Sequence, residues 1–64
     1  MTVPEFIAIS ARLLGRAPDY WFASYDTLVV RSTTGLRAID GLALRAYRTD
    51  RDVSEALGLS EVRR

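Results

Sequence analysis

Asp50, Asp52 and Glu55 form the densest group of carboxylates in this 64-residue chain. Carboxylates at such spacing can share acid–base work or bind a hard cation through oxygen. Neither use is favoured. Arg48 and Arg51 flank the group, so helix capping and solvated ion pairs are the simpler outcome. Asp50 and Asp52 match the opening of a calcium loop, but the glycine needed at its sharp turn is missing. The remaining nucleophiles are Ser, Thr and Tyr hydroxyls. None has a histidine or lysine to activate it, because the chain contains neither. The absence of cysteine also removes disulfides, thiolate chemistry and zinc sites of the Cys/His type. The four glycines are scattered singly and build no phosphate-cradling loop. The sequence therefore predicts a protein that is not an enzyme, with no cofactor and no metal.

Arginine is left to carry recognition. All nine basic residues are Arg, whose rigid fork suits carboxylate and phosphate. The codon bias of a GC-rich genome is the simpler explanation. Net charge is +1, so no whole-molecule field draws the chain to nucleic acid or membrane. Arg37, Arg45 and Arg48 share one side if their segment is helical, with Arg51 extending the row. Such a row is either a solvated face or a patch for acidic groups on a partner. Trp21, Phe22 and Tyr25 read first as core, since a short chain must bury large apolar area. The alternative makes Trp21 and Tyr25 exposed anchors for a partner or a second copy. Stacking on single-stranded bases is weaker, because only Arg16 and Arg31 accompany the rings.

The elements that must position these side chains read as an all-α bundle in a single domain, 1–64. Helices are predicted near 3–15, 19–31, 35–48 and 50–57, with a short C-terminal turn. Thr2 and Glu5 make a capping box, Pro4 fits a first turn, and Phe6, Ile9, Ser10 and Leu13 line one face. In 19–31 propensity favours strand, but Trp21, Phe22, Tyr25, Leu28 and Val29 gather at helical spacing. Ser32, Thr33, Thr34 and Gly35 form a turn. Leu36, Ile39, Leu42, Ala43, Ala46 and Tyr47 then make a helical stripe. Asp40-Gly41 is a hairpin signal, so the alternative is α+β with a hairpin in 20–47. The wealth of Ala, Leu and Arg favours helix, with Gly41 its weakest point at about 1 kcal/mol. Thr49 caps the last long helix, whose Val53, Ala56 and Leu57 face inward.

Val53, Ala56, Leu57, Gly58, Leu59 and Ser60 together resemble the first helix and turn of the helix-turn-helix family. The resemblance covers under a quarter of the chain. It implies DNA contact by Arg51, Arg63 and Arg64 on phosphate, with Ser60 opening the recognition helix. Only about one helical turn follows Ser60, too little to dock and read bases together.

The function expected first is that of a small non-enzymatic binding protein. Its size and cofactor-free composition suit a phage or mobile-element accessory protein, of the anti-CRISPR inhibitor class, that blocks or modulates a host protein or nucleoprotein complex. A helix-turn-helix-like DNA-binding regulator comes second, and a phage structural or assembly subunit held by homo-oligomerisation third. No apolar run approaches a membrane span, and the N-terminus lacks a basic leader. The expected location is the bacterial cytoplasm, and a homodimer is the further partnership weighed.

Overall fold

The computed structural model describes residues 1–59. Its order is α1 (Val3–Leu14), β1 (Tyr20–Ser24), β2 (Thr27–Ser32), β3 (Gly35–Asp40), α2 (Gly41–Ala46) and α3 (Asp50–Ala56). The architecture is α+β, which overturns the all-α bundle.

The outer helices match their sequence signals. The Thr2 hydroxyl accepts the Glu5 N–H at 3.3 Å, and the Glu5 carboxylate accepts the Thr2 N–H at 2.8 Å. Gly15, with φ +79°, ends α1 in the left-handed region. Thr49 caps α3 through a second box with Asp52. Val53 and Leu57 are fully buried.

The predicted helix over 19–31 is instead a β-hairpin. Two residues, Tyr25 and Asp26, turn the chain between β1 and β2. The period of two restarts after that turn: Leu28, Val30 and Ser32 are buried, while Val29 and Arg31 lie on the other face. Helical spacing across the turn was coincidence, and β-branched propensity won. The three strands form an antiparallel meander in the order β1-β2-β3. Leu28 pairs with Phe22 on one side and Ile39 on the other.

The predicted helix over 35–48 is also overturned. It divides at Asp40 into β3 and the six-residue α2. Asp40 is the N-cap, its carboxylate accepting the Ala43 N–H at 2.8 Å. Gly41 is thus the first residue of a helix and escapes the interior penalty. Its N–H donates to the Asp26 carbonyl at 2.9 Å. Asp40-Gly41 is therefore a strand-to-helix junction, not the tip of a hairpin. The predicted stripe dissolves accordingly: Leu36 and Leu42 are exposed, and Leu44 is buried in their stead.

The core lies between the sheet's inner face and the helices. Phe6, Leu28, Val30, Ile39, Leu44, Val53 and Leu57 fill it, and α1 packs against α3. Burying one such side chain is worth about 1.5–3 kcal/mol. The Ser32 and Thr34 hydroxyls both donate to the Leu57 carbonyl at 2.7 Å, tying the β2–β3 turn to the end of α3. Gly58 follows with φ +74°, and a side chain there would collide with Arg37 and Thr34.

Candidate partner-binding site

The end of α2 meets the start of α1 around a cleft. Leu44 anchors α2 in the core, which turns Arg45 outward. The helix stops at Tyr47, whose backbone is extended and whose ring stacks on Phe6 with centroids 6.1 Å apart. The α-amino group of Met1 donates to the carbonyls of Leu44 at 2.9 Å and Tyr47 at 3.1 Å, pinning the first residue against the end of α2. The resulting open cleft is about 510 Å³, with Ala8 and Ile9 as apolar wall and Arg45, Tyr47 and Arg48 opposite. A second hollow of about 290 Å³ shares Met1 and Arg45 and runs on to Phe22, Tyr25 and Leu28. The larger of the two forms a groove that sets its apolar wall opposite two guanidinium groups.

Arg45 and Arg48 form no ion pair among the described residues. The pairs present are Arg12–Asp50 at 3.1 Å, Arg31–Asp19 at 3.8 Å and Arg51–Glu55 at 3.6 Å. Glu5 also lines the cleft, but its carboxylate is held by Thr2. The Thr2 backbone N–H, and then its hydroxyl, lower the Glu5 pKa below the ordinary carboxylate value. Burial, followed by the charges of Asp40, Asp52 and Glu55, raises the Tyr47 phenol, which stays neutral as a donor in the wall.

The predicted arginine row is split. Arg45 and Arg48 meet at the cleft. Arg37 sits on β3, its Nε donating to the Thr34 hydroxyl at 3.2 Å. Arg51 pairs with Glu55 one helical turn on. The row assumed one helix through Asp40, where the chain in fact changes from strand to helix. The core reading of the aromatics is overturned too: Trp21 is 41% exposed, Phe22 54% and Tyr25 99%. Ser60, Arg63 and Arg64 lie outside the described residues, as does the second helix of the helix-turn-helix resemblance. Its first half corresponds to α3 and the turn at Gly58. Sequence reasoning missed Tyr47 and Ile9 as cleft walls, since both carried only a packing signal.

Among the described residues, no three His, Cys, Asp or Glu side chains converge as metal ligands. No helix there is long and apolar enough to cross a membrane. Fold and groove define a small α+β protein whose surface offers guanidinium groups beside apolar walls. Comparison with protein-family models, curated proteins and solved structures finds no match to this chain.

Proposed function

We propose that the protein is a non-enzymatic binding protein whose groove holds an acidic and apolar segment of a macromolecular partner in the host cytoplasm. The observation that carries this reading is the placement of Arg45 and Arg48, without carboxylate partners among the described residues, beside Ile9, Ala8 and Tyr47. A guanidinium fork grips a carboxylate bidentately, and the apolar wall takes the neighbouring side chain. Inhibition or modulation of a host complex by a phage or mobile-element protein is the setting proposed. It is supported by size and composition alone.

A second reading, contact with DNA, is supported by the sequence resemblance that begins at Val53, whose described part is the end of α3 and the left-handed turn at Gly58. One experiment weighs both. Tagged protein is presented to host lysate and, separately, to duplex DNA across a salt series. The groove reading expects capture of a protein that Arg45→Glu/Arg48→Glu abolishes at unchanged circular dichroism. Capture that survives the double reversal overturns it. Duplex binding that falls steeply with salt moves the function to DNA.

A further inference from the structure

The most unusual segment of the surface is β1. It is an edge strand, with β2 its only neighbour among the described residues, and all five of its residues are exposed. It reads Tyr-Trp-Phe-Ala-Ser, without a charge. Native edges are ordinarily blunted by charge, proline or cover. The hydrogen-bond pattern shows which groups are open. The Arg31 N–H donates to the Asp19 carbonyl at 2.9 Å, and Trp21 stands opposite Val29. Antiparallel ladders alternate, so Asp19 and Trp21 turn their backbone groups toward β2. Tyr20 and Phe22 turn theirs outward.

We propose that β1 pairs antiparallel with β1 of a second copy, across a two-fold axis at Trp21, to make a continuous six-stranded sheet. This register joins the outward N–H and C=O of Tyr20 to those of the partner's Phe22, and the reverse, so every open group between them is matched. One face sets Tyr20 against the partner's Phe22, and the other sets Trp21 against the partner's Trp21. Aromatic cross-strand pairs of this kind stabilise sheets.

The ladder is closed at both ends. Pro18 has no N–H to extend it on one side, and the register shifts between Phe22 and Ser24 on the other. A second copy fits better than a foreign strand because β1 is its own complement. It carries no charge to repel itself, and each copy bears only +1 overall.

The area suits a weak, concentration-dependent dimer. Tyr20 is 46% exposed, Trp21 41% and Phe22 54%; at about 150–250 Å² per ring, they offer roughly 300 Å² per copy. Both copies together offer roughly 600 Å² of ring surface plus the open backbone, which puts the pairing among weak, reversible interfaces below about 1,200 Å². Phe22 lines the second hollow but not the cleft of Arg45 and Arg48, so the pairing does not depend on what that cleft binds.

Sedimentation equilibrium of the whole chain tests the pairing. At about 100 µM the expected mass is twice that of the monomer, falling to the monomer on dilution with a red shift of Trp21 fluorescence. Phe22→Pro removes an outward N–H and leaves the β2 ladder intact. Phe22→Lys places a charge on the edge and keeps the backbone whole. Each is expected to weaken association at least tenfold at unchanged circular dichroism. A wild-type monomer at every concentration overturns the pairing, and so does a dimer that persists in Phe22→Lys.

Discussion

The two edges of one small sheet are treated in opposite ways. β3 is committed to the fold. Ile39 is buried near its end, Arg37 is tied to Thr34 beneath the turn at Gly58, and Asp40 caps the next helix. β1 gives the interior almost nothing, although it is the more hydrophobic strand. Apolar character therefore does not say where a strand goes. What counts is whether a helix arrives to cover it, and here α1, α2 and α3 close over β2 and β3. The rings of β1 are left for another surface.

The sharpest way to break this contrast is to truncate one residue on each strand. Ile39→Ala is expected to cost about 2–5 kcal/mol. Phe22→Ala, measured where the chain is monomeric, is expected to cost less than about 1 kcal/mol. Urea unfolding of the two variants measures both, and equal losses would erase the distinction between edges.

Gly58→Ala probes the anchoring of β3 from the helical side. The left-handed backbone alone costs about 1–2 kcal/mol, and the displaced Arg37 and Thr34 add to it. The expected loss of about 2 kcal/mol would show in thermal melts, with no matching effect in Gly15→Ala beyond the backbone term, since nothing lies near that site.

The smallest effect concerns the cap of α3. The N–H groups of Arg48 and then Thr49 hold the Asp52 carboxyl below its ordinary pKa. Folding therefore favours its charged form. That contribution is complete above the unfolded pKa of about 4 and fades as pH falls through the lower folded value. Wild type should lose Tm in acid more steeply than Asp52→Asn, whose side chain does not titrate. Parallel acid profiles would dismiss the carboxylate.

Legibility in the sequence followed the same division. Both terminal helices announced themselves through caps at Thr2 and Thr49, each a local signal in a few residues. The sheet did not. Its first turn, Tyr25-Asp26, has neither glycine nor proline, so nothing marked the point where the period of two restarts. Ser32 to Gly35 was recognisable as a turn, but not as one between strands. The Ala, Leu and Arg of 36–46 outweighed Asp40, whose capping role depends on knowing that a strand precedes it. Once that junction is placed, Arg45 and Arg48 remain neighbours and Arg37 leaves them. The aromatics were noticed for their size, while their exposure was a tertiary fact that no window along the chain contains.

The packing of α1 against α3 couples the earliest helix to the latest. Among the described core residues Val53 and Leu57 are synthesised last, so an unfinished chain leaves Phe6 and the inner face of the sheet without their cover. No nascent length short of α3 can seal the interior. Until α3 docks, the bare face and the aromatic strand are exposed together, and it is then that the chain is most open to association with other copies.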